Sequence, residues 1–347
     1  MQEVQRFFSE KSSERRPAIG CGAYPNGQEL INFPGSFWSQ KEHLPVPFHP
    51  IGRNMLIIFN PAAGRQRVTR FWRVLDVMSA NGVQLEIVET RYPGHATELA
   101  RRAAADGGAR LVVAAGGDGT IAEVANGLAG SACVLGIIPL GTANVLAHEL
   151  GLSFSPAAVA AALAFGRTRT MWPGIATGPG GTRLFVQMLG AGFDAQVVGN
   201  LSLRLKRALG RTSYVLQSLR ELVRYGFPPI GIRLDGQASE AGSVIVSKGR
   251  LYAGRYLVAP GGNPTRRGFS VVLFERPDRW QGAWQAALCG AALPLNLLSR
   301  MPGVRVVRAS TVELDCQSVP AQADGDPTAG GRLLITDAPG PIEVVIG

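Results

Sequence analysis

The stretch Leu111–Leu128, Leu-Val-Val-Ala-Ala-Gly-Gly-Asp-Gly-Thr-Ile-Ala-Glu-Val-Ala-Asn-Gly-Leu, constrains the fold more than any other part of the chain. Leu111 to Ala115 is a short apolar run with β-branched Val112 and Val113, the pattern of a buried parallel strand. Gly116, Gly117 and Gly119 let the backbone turn sharply and come close to a ligand. From Thr120 to Leu128 the apolar residues Ile121, Val124, Ala125 and Leu128 fall on one helical face. A glycine turn between strand end and helix start collects bare N–H groups and the positive end of a helix dipole, a setting that suits phosphate. Asp118 does not suit a plain anion cradle, because a carboxylate repels phosphate. It fits if a divalent cation or a phosphate-accepting hydroxyl joins it. Two readings follow: a phosphoryl-transfer site, or a tight strand–helix turn in which Asp118 caps the helix.

The bulk numbers narrow the setting. At 347 residues the chain suits two domains better than one core. Its 46% hydrophobic content fits a packed globular protein. A formal charge of +10, from 35 basic and 25 acidic residues, implies an anionic partner: a nucleotide, nucleic acid or an acidic membrane surface. The excess is not gathered in a basic arm interleaved with aromatics, which argues against nucleic acid. Cys21, Cys133, Cys289 and Cys316 are scattered, without metal-cage spacing or a disulfide framework. The N-terminus lacks the apolar segment of a secretory signal. No apolar run approaches the roughly 20 residues that span a membrane; Ala286 to Leu298 is short and interrupted by Pro294. A cytoplasmic chain is expected.

Residues 1–50 lack periodicity and suggest an arm or a disordered extension. From Asn54 strands and helices alternate. A strand to Phe59 precedes the turn Asn60–Gly64 and a helix to Ala80 with Phe71, Val74, Leu75 and Met78 inward. A strand over Val83–Thr90 and a helix over Ala96–Ala105 lead into the Leu111 strand. A strand over Cys133–Pro139 is followed by the turn Leu140–Asn144, a short helix to Leu150, and another over Pro156–Phe165. This order predicts a doubly wound parallel sheet over residues 51–168, with ligands at the strand C-termini. Over 169–347 short alternating runs, among them Arg183–Leu189, Ser243–Ser247, Ser270–Phe274 and Ile342–Ile346, predict an antiparallel β-sandwich. Two stretches interrupt it: a basic helical one, Leu201–Tyr225, with Arg204, Lys206, Arg207, Arg211, Arg220 and Arg224, and an apolar one, Trp280–Met301.

With these motifs in view the chain resembles the diacylglycerol kinase catalytic-domain family, including bacterial YegS-like lipid kinases and sphingosine and ceramide kinases. The resemblance rests on Asn60–Gly64, Gly116–Gly127, Pro139–Val145, Gly190-Ala-Gly-Phe-Asp194 and Ala323-Asp-Gly-Asp326, five pieces in the family's order. It implies ATP bound between an α/β domain and a β-sandwich, with Mg²⁺, and a γ-phosphate passed to a lipid hydroxyl of diacylglycerol, ceramide or a sphingoid base. Asn60, Gly64, Thr90, Thr142, Asn144 and the turn Gly116, Gly117, Asp118, Gly119, Thr120 would bind the nucleotide, and Asp118 would face the metal. Asp194 would contact the lipid. The family's general base is taken as the last residue of an Asp-Gly-Glu motif, which here reads Asp324-Gly325-Asp326. Asp326 then takes the proton, although aspartate reaches about 1.5 Å less than glutamate, so that Asp324 or Asp118 could share the role.

A second departure lies in Ala259–Phe269, where Arg267 stands in place of the acidic residue that in the family helps organise a structural metal. His95 and His148 read as surface or packing residues. Two other functions compete with a lipid kinase: a lipid- or nucleotide-binding homologue impaired by these departures, and a soluble-substrate kinase of the NAD kinase kind, which shares the Gly-Gly-Asp-Gly-Thr turn. A lipid kinase without a membrane span meets its substrate at an anionic membrane surface, and the basic and tryptophan-bearing stretches are the expected contacts. The oligomeric state stays open, a homodimer included.

Overall fold

A computed structural model describes residues 20–23, 29–32, 55–62, 68–107, 110–200, 212–275 and 279–347. Gly64, Arg204, Lys206, Arg207 and Arg211 lie outside these residues. Within the first fifty, β1 (Gly20–Ala23) and β2 (Glu29–Asn32) pair as an antiparallel hairpin.

The alternating elements follow the sequence closely. They are β3 (Met55–Phe59), α1 (Val68–Ala80), β4 (Leu85–Glu89), α2 (His95–Asp106), β5 (Leu111–Gly116), α3 (Asp118–Leu128), β6 (Val134–Pro139), α4 (Val145–Glu149), α5 (Pro156–Phe165) and β7 (Arg167–Met171). β3 and β5 are buried at every position, as expected of inner strands covered by helices on both sides. One face packs on Phe71, Val74, Leu75 and Met78 of α1 together with α5; the other packs on α2 and α3.

The strands that follow are β8 (Gly174–Gly178), β9 (Gly181–Phe185), β10 (Met188–Gly192), β11 (Ile230–Leu234), β12 (Gln237–Ala241), β13 (Ser243–Ser247), β14 (Leu251–Tyr252), β15 (Tyr256–Leu257), β16 (Phe269–Phe274), β17 (Val304–Ala309), β18 (Val312–Cys316), β19 (Ala321–Ala323), β20 (Asp326–Thr328), β21 (Gly331–Asp337) and β22 (Ile342–Ile346). Three helices are set among them: α6 (Phe193–Gly199), α7 (Thr212–Arg224) and α8 (Arg279–Ala292). Two six-stranded sheets form the sandwich, in the orders β17-β16-β13-β10-β19-β20 and β12-β11-β18-β21-β8-β9. Leu189, Val244, Val246, Val271 and Leu273 point into the core between them. Their alternates Met188, Ile245 and Val272 point outward, into an apolar layer closed by Cys289 of α8 and by Leu298.

Two sequence expectations are corrected. The run Arg183–Leu189 is not one strand: it divides into β9 and β10, which lie in different sheets. The amides of Val186, Gln187 and Met188 leave the ladder to bond a carboxylate described below. The division at 168/169 is also wrong in detail, because β7 spans it and β22 returns to the first domain. The first sheet runs β4-β3-β5-β6-β22-β7, with β22 parallel to β6 and antiparallel to β7. Among the described residues no helix is long and apolar enough to cross a membrane.

Candidate active site

The parallel register of β5 and β6 runs through Gly116 opposite Pro139, so the turns after both strands emerge side by side. They are pressed together. A Cβ on Gly141 would lie 2.5 Å from the Gly117 Cα, backbone against backbone, which no other residue permits. Asn144, in the left-handed conformation at φ 48, closes the second turn; its Oδ1 accepts from Gly141 N at 2.8 Å and its Nδ2 donates to Gly141 O at 2.7 Å. The loop after β3 joins the same edge. Asn60 Nδ2 donates to Thr120 Oγ1 at 2.9 Å, and Asn60 Oδ1 accepts from Ala62 N at 3.0 Å. Thr90, at the end of β4, donates its N–H to Phe59 O at 2.8 Å.

The structure therefore gathers Asn60, Thr90, Gly116–Thr120, Thr142 and Asn144 along one edge, while Gly64 falls outside the described residues. Asn60, Thr120 and Asn144 hold the shape of this edge through bonds among themselves and the backbone. Thr142 is exposed on it, and the space over Gly119 is open.

Asp118 is the first residue of α3, and its Oδ1 accepts from Leu146 N of α4 at 3.4 Å. Burial raises its pKa, opposed by the backbone amides of Leu146, Val145 and Asn144. Those amides offset only part of the cost of burial. Among the described residues no group of three or more His, Cys, Asp or Glu side chains could hold a metal ion. Asp118 in this setting does not fit a protein-held magnesium site.

Across from this edge lies the Asp324–Asp326 turn of the sandwich. Asp324 adopts φ 51 and is half-buried. Its Oδ2 accepts from Val186 N at 2.7 Å, and its Oδ1 from Gln187 N at 2.8 Å and Met188 N at 3.0 Å. A carboxylate offers about four lone-pair sites; with three filled, one remains on Oδ2. Burial pushes the Asp324 pKa up to about 6; the three amides restrain the rise, and the Asp118 charge adds to it. Asp326 is placed differently. It is exposed, and Arg183 holds it from Nη2 to Oδ2 at 3.2 Å while donating from Nη1 to Pro327 O at 3.1 Å.

Asp194 opens α6 and is buried. Its carboxylate accepts from the Tyr252 hydroxyl, and from Gln322 Nε2 at 2.8 Å. A Cβ on Gly190 would come within 2.6 Å of Asp194 Oδ2, so the glycine makes room for the carboxylate. Burial raises the Asp194 pKa, opposed by these two hydrogen bonds. Gln322 Oε1 in turn accepts from Gly325 N at 2.7 Å, which joins Asp194 to the Asp324 turn through one side chain.

The turn with Arg267 carries its cation internally. Lys248 Nζ donates to Arg266 O at 3.1 Å, Gly268 O at 3.0 Å and Asp337 Oδ1 at 2.6 Å, and its side chain is fully buried. Arg267 lies 4.1 Å over the Trp172 ring. His95 accepts from Arg91 N at 3.1 Å and stacks on Tyr92, and His148 packs on Phe154. Tyr252, Gln322, Arg183 and Lys248 belong to no motif that sequence reasoning picks out. Each has a partner 58 or more positions away, beside the nearer bonds of Lys248 to the 266–268 turn and of Gln322 to Gly325, and no local pattern marks such a pairing.

Comparison with known proteins agrees with this arrangement. The family described as the diacylglycerol kinase catalytic domain matches residues 54–174, and the YegS C-terminal NAD kinase beta sandwich-like domain matches residues 187–346. A Pseudomonas fluorescens protein named probable lipid kinase YegS-like is 28% identical over 302 residues, covering 84% of this chain and 95% of that one. A Mycobacterium tuberculosis diacylglycerol kinase is 28% identical over 245 residues, covering 69% and 77%. The crystal structure of a diacylglycerol kinase from Bacillus anthracis str. Sterne superposes with a TM-score of 0.63 at 20% identity, covering 85% of this chain and 97% of that one. That last likeness concerns the fold.

Proposed function

The chain belongs to the diacylglycerol kinase catalytic-domain family, and from that premise we propose that it transfers the γ-phosphate of ATP to the hydroxyl of a lipid, with Asp324 as the base. Membership makes it a kinase. Relatives named lipid kinase and diacylglycerol kinase favour a lipid acceptor.

In this reading the amides of the Gly116–Gly119 turn and the open space over Gly119 receive the nucleotide phosphates. The lipid hydroxyl donates to the remaining lone pair of Asp324 Oδ2. As its oxygen bonds to the γ-phosphorus and the bond to the β-phosphate oxygen breaks, its proton passes to Asp324 and ADP leaves. Asp194, held by Tyr252 and Gln322, orients the polar end of the lipid and shares a hydrogen-bonded path with the base. A magnesium ion would arrive on the phosphates of ATP, as it commonly does; no protein side chain is assigned to it.

The observation that carries this reading is the half-buried Asp324 carboxylate, held by three backbone amides with one lone pair left open, its pKa pushed up to about 6 by burial. A base works best when its pKa lies close to the working pH. The same observation moves the assignment away from Asp326, whose exposed carboxylate is occupied by Arg183. The test is phosphate transfer from ATP to diacylglycerol, ceramide and a sphingoid base, with NAD as a soluble acceptor. Asp324→Asn should lower the rate by about 100-fold or more while ATP binding persists. Asp326→Asn, which breaks an exposed pair, should change it by about fivefold or less. The reverse order would return the base to Asp326. ATP and lipid binding without turnover in the wild type would instead favour an impaired binding homologue.

A further inference from the structure

Ten large hydrophobic side chains stand exposed among the described residues, and seven of them fall on α7, α8 and the turn after α8. They are Leu219 and Val223 on α7, Trp280, Trp284 and Leu288 on α8, and Leu295 and Leu297 beyond it. The two helices are neighbours in the outer layer of the sandwich.

The spacing places these side chains on continuous faces. On α8, Trp280, Trp284 and Leu288 recur every fourth residue on one side, while Gly282, Gln285 and Cys289 are buried on the other. Gly282 fixes that orientation, because a Cβ there would meet the buried Phe227 ring at 2.5 Å. On α7, Leu219 and Val223 form a stripe with the exposed Arg220 and Arg224 beside it. Glu221 on the far side is 2% exposed and accepts from Gln196, Asn200 and Gln217, which anchors the helix to α6. Both helices are thus turned with their apolar stripes outward by bonds and packing on the inner side.

An apolar stripe flanked by arginines, with two tryptophans one turn apart, matches the chemistry of the membrane interface. Indole rings partition to the headgroup level, leucines reach the acyl boundary, and arginines pair with anionic headgroups. The chain's +10 charge has the sign such a surface needs. The layer beneath α8 also contains Tyr252, whose hydroxyl holds Asp194. A bilayer against α8 would therefore lie over the side of the sandwich that carries the acceptor residues.

We propose that the outer face of α7, α8 and the turn to Leu297 docks on the surface of an anionic bilayer. This rests on the lipid-kinase reading for its purpose, and the experiment separates the two. Sedimentation is measured with vesicles of phosphatidylcholine alone and of phosphatidylcholine with phosphatidylglycerol in equal parts. The proteins compared are the wild type, Leu219→Glu with Trp284→Glu, Arg220→Glu with Arg224→Glu, and Leu334→Ala as an exposed control on β21. The wild type and the control should bind the anionic vesicles. Each double variant should bind at least roughly tenfold more weakly, with an unchanged melting temperature, since the altered side chains are exposed.

Phosphate transfer to lipid in detergent micelles, where no bilayer is needed, should be the same for all four proteins. Vesicle binding by a wild type that phosphorylates no lipid would keep the docking surface and remove the kinase reading. Binding by the double variants equal to wild type, or wild-type binding no stronger to anionic than to neutral vesicles, overturns the proposal. So does dimerisation lost in the Leu219/Trp284 variant without vesicle binding, which assigns the face to a second copy of the chain.

Discussion

Asp324 combines two opposing demands. Three amides bind it as an anion, yet burial and the nearby Asp118 favour the protonated acid. A base must be ionised to accept a proton, so activity should rise with pH through a midpoint near 6. A plot of log kcat/KM against pH between 4.5 and 8 checks this; a flat profile there would remove Asp324 as the titrating base. The stability effect has the opposite sign. The folded-state pKa is raised above the unfolded value of 3.8, so the contribution is fully present below that value and is lost as pH rises through about 6. A rise of about two pH units at 1.36 kcal/mol each amounts to roughly 3 kcal/mol. Urea unfolding at pH 4 and pH 8 should therefore show Asp324→Asn gaining stability relative to wild type as the pH increases. The Asp-Gly-Asp turn is legible in the sequence, and its resemblance points to Asp326. Sequence does not show which carboxylate the backbone holds, because the amides that bind Asp324 belong to Val186–Met188, more than a hundred residues earlier.

The element that shapes the edge at the strand C-termini, where the nucleotide is proposed to bind, is the pair of turns touching at Gly117 and Gly141. The glycines of these turns differ in what surrounds them, which makes Gly141 and Gly119 a paired test. Gly141→Ala puts a Cβ 2.5 Å from backbone, so the turns must separate. Thermal stability and ATP binding should both fall, by an amount typical of forced overpacking, about 1–3 kcal/mol in stability. At Gly119, in the first turn of α3, an added Cβ would meet no heavy atom within 4 Å. Gly119→Ala should keep or raise the melting temperature, since alanine favours helix by up to about 1 kcal/mol, while weakening ATP binding by filling the open space. Calorimetry with isothermal ATP titration reads both; equal ATP affinity for Gly119→Ala and wild type would show that phosphate does not approach there. At this scale the sequence is most legible. The inward residues of α1 and the strands β3, β5 and β6 follow from periodicity and from apolar runs covered on both faces. Arg183–Leu189 misleads because an apolar run does not show where its amides bond, and here they turn to Asp324 in mid-run.

The whole molecule is an α/β domain with a sandwich inserted near its end. Both sandwich sheets lie within residues 174–337, while β22 belongs to the first sheet between β6 and β7. The insertion begins and ends at one place: Ala338 N donates to Pro173 O at 2.9 Å, and Ile342 pairs with Met171. Local pattern identifies β22 as a strand but does not assign it to a sheet, since its partners β6 and β7 lie about 200 and 170 residues earlier in the chain. This topology sets what the first domain needs in order to fold. Without β22, β6 and β7 lose the strand that joins them, and Ile342, Val344 and Val345 no longer fill both faces of the sheet. A fragment of residues 51–173 should therefore lack a cooperative urea transition. Joining residue 173 to residues 338–347 through a short Gly/Ser linker should restore one, because the two ends already meet and the closing loop costs little. Far-UV circular dichroism against urea compares the two proteins. If residues 51–173 alone unfold as cooperatively as the joined protein, β22 is an accessory strand and not part of the first domain's folding unit.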